Sequence, residues 1–136
     1  MAEDYPGAMV RVAGAVTVAA LGSLLGGSAA PLKVTVVGAG HTPKVGAHWN
    51  YSVTVGRGGK PAAARLTAEI VDPLGSSHPV QLGSTKVDVT NRPIRGTFRD
   101  FILWPKSSQG IPLTLRVTIT SGGAKRVVSY AVTSHG

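Results

Sequence analysis

The chain has 136 residues, with 14 Lys+Arg against 6 Asp+Glu, a formal charge of +8, and no cysteine. That length holds one ordinary domain plus a short extra segment and is too small for a two-domain enzyme. The missing cysteine excludes a disulfide scaffold, thiol catalysis, thiolate metal sites and a lipid-modified cysteine.

The chain opens on an apolar stretch. Residues Val12 to Leu32 carry no charge, and Val12–Leu25 reads VAGAVTVAALGSLL, with Arg11 before it and Gly26-Gly27-Ser28-Ala29-Ala30 after it. A basic residue, an apolar core and a small-residue exit are the pattern of a secretory signal peptide, here cleaved after Ala29 or Ala30. Glu3 and Asp4 spoil the basic start, and a start at Met9 restores it. The alternatives are an uncleaved membrane anchor, since the uncharged run would span about 30 Å as a helix, and a buried core helix. The expected organisation is therefore a signal peptide or anchor over residues 1–30 and a domain over 31–136, placed outside the cytoplasm in the first two cases.

From Leu32 onward the hydrophobic period is two. Leu32, Val34 and Val36 alternate with Lys33 and Thr35, and Trp49, Tyr51, Val53 and Val55 alternate with Asn50, Ser52 and Thr54. Ala64, Leu66, Ala68 and Ile70 oppose Arg65, Thr67 and Glu69; Leu113, Leu115, Val117 and Ile119 oppose Thr114, Arg116, Thr118 and Thr120. Such alternation marks strands with one wet face. Val87 and Val89 suggest a further strand, and Val128, Tyr130 and Val132 the last one. Thr97–Trp104 is less regular, and a bulge near Arg99-Asp100 would bring Phe98 and Phe101 to one face. Gly56–Pro61 and Ser121–Lys125 read as hairpin loops, and the prolines Pro43, Pro61, Pro79, Pro93, Pro105 and Pro112 are expected between elements. About seven short strands in roughly 100 residues predict an all-β, antiparallel, immunoglobulin-like sandwich preceded by the N-terminal hydrophobic helix. Trp49 and Trp104 are the expected core anchors.

The order Pro43-Lys44-Val45-Gly46, Trp49-x-Tyr51-x-Val53-x-Val55, Gly59-Lys60-Pro61, Gly96-x-Phe98 and Gly110-Ile111-Pro112-Leu113 resembles bacterial exported Ig-like domains and is similar in layout to the YtkA-like group. The resemblance covers about residues 32–133 and implies the sandwich fold. Some YtkA-like and related periplasmic sandwiches are linked to copper handling, which raises a metal-carrier reading. This chain departs from that pattern: it has no Cys, and its two methionines, Met1 and Met9, lie in the leading segment, whereas copper(I) favours soft ligands.

No motif predicts catalysis. Gly38-x-Gly40 lacks the third glycine of a dinucleotide loop, because position 43 is Pro, and Gly59-Lys60 is not a phosphate-binding loop. Asp100 is the one irregular acid, and its expected partner is a nearby arginine. His41, His48 and His78 are the weak metal alternative. The usable signal is positive charge: residues 31–136 hold 13 Lys+Arg against 4 Asp+Glu. Arg92, Arg95, Arg99 and Lys106 form the densest stretch, Lys125 and Arg126 sit in the last hairpin, Arg57 and Lys60 in another, and Arg65 and Arg116 point outward. Outside a cell the polyanions are wall polymers and lipid headgroups, which a positive field concentrates. The expectation is a non-catalytic envelope module needing no cofactor. It binds or spaces anionic wall polymer, membrane surface or another envelope protein through Arg92, Arg95, Arg99, Lys106, Lys125 and Arg126, with no nucleic-acid partner. A metal or small-ligand carrier using the loop histidines is the alternative.

Overall fold

The computed structural model describes residues 30–136; the expected signal peptide or anchor, and the start at Met9, lie outside them. Two antiparallel sheets pack face to face as a β-sandwich. The strands are β1 (Leu32–Gly38), β2 (His48–Arg57), β3 (Lys60–Pro61), β4 (Ala63–Val71), β5 (Ser77–Pro79), β6 (Arg92–Arg95), β7 (Thr97–Leu103), β8 (Pro112–Ser121) and β9 (Ala124–Thr133). The first sheet places β2 between β1 and β7, with β3 extending the β7 side. The second runs β4, β8, β9, with β5 and β6 sharing the other edge of β4.

The long strands follow the alternation in the sequence. Trp49, Tyr51, Val53 and Val55 are buried on β2; Ala64, Leu66 and Ala68 on β4; Leu115, Val117 and Ile119 on β8; Val132 on β9. Burying each large aliphatic side chain contributes about 1.5–3 kcal/mol, so period-two segments of this length have one stable orientation. Trp49 and Trp104 meet edge to face at 5.6 Å, and Trp49 donates through Nε1 to the Gly40 carbonyl at 2.9 Å. Both hairpins turn through two glycines of positive φ, Gly58 (57°) with Gly59 (77°) and Gly122 (56°) with Gly123 (83°). That geometry matches the twist of the strands they join.

Three sequence expectations are corrected. The β7 register against β2 is continuous from Thr97 to Leu103, without a bulge. Phe98, Asp100, Ile102 and Trp104 share the inward phase, and Phe101 faces out, stacked on His48 with centroids 3.9 Å apart. Val87 and Val89 do not make a strand of their own. Val89 is buried and exchanges backbone hydrogen bonds with Ala68 and Val80, and Asp88 bridges Gln81. Pro61, Pro79 and Pro93 lie inside β3, β5 and β6, and Pro112 opens β8, rather than falling between elements. Strands β3, β5 and β6 each pair on one side only, where a missing N–H leaves no ladder gap. These short edge strands bring the observed number among the described residues to nine.

Gly96 is where the chain changes sheets. β6 pairs with β4 and β7 with β2, so one extended segment crosses the sandwich at this corner. The corner is locked by Val55 N–H to Gly96 O, Gly96 N–H to Ala62 O and Ala62 N–H to Val55 O, all at 2.9–3.1 Å. Arg57 ties the same end to the last hairpin, donating to Ser121 O at 2.8 Å and to Ala30 O at 3.0 Å. This end therefore gathers both diglycine turns and the sheet-switching corner. The opposite end holds the start of β2, the end of β7, the 3₁₀ turn Lys106–Ser108 and the start of β8.

Candidate functional site

The outward face of the first sheet follows directly from the register. Lys33 stands beside Gly56, Thr35 beside Thr54 and Thr97, and Val37 beside Ser52 and Arg99. No Asp or Glu stands on that face of β1, β2 or β7. At the corner end it deepens into a groove of about 850 Å³, lined by Lys33, Lys60, Arg95, Thr35, Thr54 and Thr97, among others. The hydroxyls of Thr54 and Thr97 lie 3.2 Å apart across the strands. Lys33, Lys60, Arg95 and Arg99 are exposed, and among the described residues none of them forms an ion pair. The result is a strip of cations and hydroxyls around a floor of small side chains, able to contact several oxygens of an extended anion.

The described acids are all engaged elsewhere or distant in the fold. Glu69, on the outward face of the second sheet, accepts from Arg116 Nη2 at 2.9 Å and Nε at 3.3 Å. Asp72 caps the turn after β4, taking the Leu74 and Ser76 amides at 2.9 and 3.0 Å and His78 Nε2 at 3.1 Å. The His78 hydrogen bond leads in lowering the Asp72 carboxyl below its ordinary value, outweighing desolvation, with the Ser76 and Leu74 amides adding to it. Asp88 lies in the segment between β5 and β6.

Asp100 corrects the expected ion pair. On the inward side of β7 its carboxylate takes the Tyr51 hydroxyl at 3.1 Å and the Gly83 amide at 2.9 Å, with no arginine among its described partners. Burial first, then the charge and hydrogen bond of Asp100, push the Tyr51 hydroxyl well above its ordinary value of 10.0. The pair clamps the segment between β5 and β6 onto the first sheet.

The six basic residues singled out in the sequence are not one patch. Arg95, on β6 at the edge of the second sheet, lines the groove, and Arg99 stands on the outward face of β7 in the first sheet. Lys125 and Arg126 share the corner end but sit on β9 in the other sheet. Arg92 turns inward in phase with Ile94, its guanidinium 5.9 Å from the Phe98 centroid. Lys106 is in the 3₁₀ turn at the far end. Lys33 was missed; its outward place in the first alternating strand was the available signal, but only the fold brings it to one groove with Lys60 and Arg95. Of the other outward cations, Arg65 donates to Asn91 O at 3.1 Å, and Arg116 is neutralised by Glu69.

The histidines are held apart. His41 donates to Ala131 O at 2.6 Å and stacks on Tyr130, His48 stacks on Phe101, and His78 pairs with Asp72. Among the described residues no group of three or more His, Asp or Glu side chains could hold a metal ion.

No known family profile matches the chain, and no curated protein does. Among solved structures it is similar to a DUF4426 family protein from Pseudomonas aeruginosa, with 18% identity and a TM-score of 0.41 over 74% of this chain and 84% of that one. It is also similar to a DUF4466 family protein from Parabacteroides merdae, with 15% identity and a TM-score of 0.41 over 76% of this chain and 43% of that one. The match thus spans less than half of the second protein. At that level neither likeness bears on function, and the sandwich rests on the strand pairing described above.

Proposed function

We propose that this chain is an exported, non-catalytic, immunoglobulin-like module of the cell envelope that binds phosphate-rich anionic surfaces through the outward face of its first sheet. The observation that carries this reading is uncompensated charge: Lys33 and Arg99 on the outward face of β1 and β7, with Lys60 and Arg95 lining the groove at its corner end from β3 and β6, and no carboxylate on the outward face of β1, β2 or β7. The export part of the reading is supported by the apolar run with its small-residue exit in the first thirty residues.

Electrostatics explains why a sheet face suits this role. Exposed cations attract a repeating anion over about 8–10 Å at physiological salt, and several weak contacts in a row add up while each stays reversible. The flat spacing of strands, about 4.8 Å apart, sets cations and hydroxyls in a grid rather than a pocket. Recognition of this type selects charge density rather than one sugar or one headgroup.

The test is retention on immobilised inorganic polyphosphate, with phosphatidylglycerol and phosphatidylcholine vesicles as a second arm. Binding to polyphosphate that weakens steeply between 50 mM and 500 mM NaCl supports the reading. Preference for phosphatidylglycerol over phosphatidylcholine at low salt would add lipid headgroups to the ligand class, and its absence would restrict the class to polymers. Retention independent of salt would refute it.

A further inference from the structure

The outer edge of β9 is covered along one part and bare along another. The strand pairs with β8 on one side only. On the other side the loop between β1 and β2 closes over its C-terminal part. Thr133 N–H donates to His41 O at 2.8 Å, and Ala131 O accepts from His41 Nδ1 at 2.6 Å. Backbone groups alternate in direction along a strand, so Val127 and Ser129, in the same phase, also turn N–H and C=O away from β8. Among the described residues nothing bonds to them there. Both are exposed, Val127 to 49%. Such a row of donors and acceptors takes an extended strand. Other edges are guarded: β3, β5 and β6 are short and each holds a proline, and β7 has Arg99 and Asp100 at its middle. On β9 the charges, Lys125 and Arg126, stand at one end of the bare stretch.

The two limits of that stretch name a strand that fits it, β9 of a second copy run antiparallel. Twofold symmetry puts one residue opposite itself at the dyad. With Val127 there, the two Arg126 stand two residues apart, about 7 Å, inside the 8–10 Å over which charges repel at physiological salt. With Ser129 there, Val127 meets Ala131, whose carbonyl is already spent on His41. Val128 at the dyad avoids both. The two Arg126 are then about 14 Å apart and the two Lys125 about 20 Å. Val127 and Ser129 of each copy face Ser129 and Val127 of the other and exchange four backbone hydrogen bonds. The geometry points to a twofold dimer made by β9 pairing with β9 of a second copy, centred on Val128. It joins the two second sheets into one. The axis stands perpendicular to the joined sheet, so both first sheets, with Lys33 and Arg99, lie on the same side. The dimer does not depend on polyanion binding, and either can fail alone.

Sedimentation equilibrium of the full chain should show 13.9 kDa passing to twice that mass, half-converted on the order of 0.1 mM. Each copy carries a formal charge of +8, so the dimer should tighten between 50 mM and 500 mM NaCl, the reverse of polyanion retention. Val127→Pro removes the outward N–H without touching the ladder to β8 and should weaken the dimer about 10-fold or more. Because the chain has no cysteine, single introduced cysteines report the register. Val128→Cys should cross-link to its copy under mild oxidation, since residues facing each other at that dyad have Cα atoms about 4.5 Å apart. Ser129→Cys, more than about 7 Å from its copy, should not. A parent chain that stays at 13.9 kDa up to about five times the expected midpoint would overturn the proposal. So would a dimer unaffected by Val127→Pro in folded protein, or cross-linking through Thr35→Cys on the β1 edge in place of Val128→Cys. Single-chain mass with Val127 and Ser129 amides shifted by an extended Glu-Val peptide would also overturn it and give the edge to an acidic strand.

Discussion

The two ends of the sandwich share one core and have opposite surfaces. At the corner end, Gly58-Gly59, Gly122-Gly123 and Gly96 turn the chain tightly. Their small residues leave the neighbouring Lys33, Lys60 and Arg95 standing over a groove without carboxylates. At the far end the chain makes wider connections: the loop from β1 to β2, the segment from β5 to β6 and the 3₁₀ turn after β7. There the aromatic pair Trp49 and Trp104 and the Asp100 clamp do the holding, and the surface between the sheets is apolar. Tight glycine turns favour a charged rim because they supply no side chains of their own. Longer connections bring apolar side chains that leave a cleft where they meet imperfectly.

The sharpest way to separate the ends is to damage one and read the other. Asp100→Ala removes the acceptor of both the Tyr51 hydroxyl and the Gly83 amide. Leaving two part-buried donors unpaired costs about 2–5 kcal/mol, read as a lower urea midpoint, with faster amide exchange between Gly83 and Asp88. Polyphosphate retention by the protein that remains folded should not change. A loss of retention matching the loss of stability would mean the ends are not independent.

The converse variant is Lys60→Glu with Arg95→Glu. Each cation near an anionic surface is worth about 1 kcal/mol, so reversing both should weaken polyphosphate binding about 10- to 100-fold at low salt. Both residues are exposed, so thermal stability should move by no more than about 0.5 kcal/mol.

Much of the far end was illegible in the sequence, and the reason is physical. Alternation reported the inward phase of β2, β4 and β8 correctly because burial there is continuous and apolar. Asp100 broke the pattern on β7: an acid at an inward position interrupts apolar alternation, and a bulge at Arg99-Asp100 that brings Phe98 and Phe101 to one face is the local way to restore it. Its true partners, Tyr51 and Gly83, are 49 and 17 residues away, beyond any local rule. The basic groove was legible in part. Charge could be counted from the chain, but Arg92 and Lys106 were grouped with Arg95 and Arg99 by proximity in sequence, whereas strand phase and strand direction separate them. Lys33 entered only through its pairing opposite Gly56.

A pH titration probes the clamp more gently. The Tyr51 hydroxyl ionises at a higher pH when folded than when unfolded. The unfolded chain therefore loses its proton first, and stability is complete below about pH 10 and falls above it. The slope reaches about 1.4 kcal/mol per pH unit for one such group. Tyr51→Phe should flatten the fall above pH 10 by that amount, measured as urea midpoints at pH 9, 10 and 11. An unchanged slope would mean that Tyr51 titrates as freely in the fold as outside it. The smallest expected effect is that of Lys106→Glu. This exposed charge at the far end should alter stability by no more than about 0.5 kcal/mol and leave polyphosphate retention as it was.

The most direct measurement is a residue-by-residue map of amide shifts as short-chain polyphosphate is added to ¹⁵N-labelled protein. The account predicts shifts concentrated at Lys33, Thr35, Thr54, Lys60, Arg95, Thr97 and Arg99, reversed by 500 mM NaCl, with the signals around Trp104, His78 and Lys106 unmoved. Shifts spread evenly over all the lysines and arginines, or centred on the Lys106 end, would contradict it.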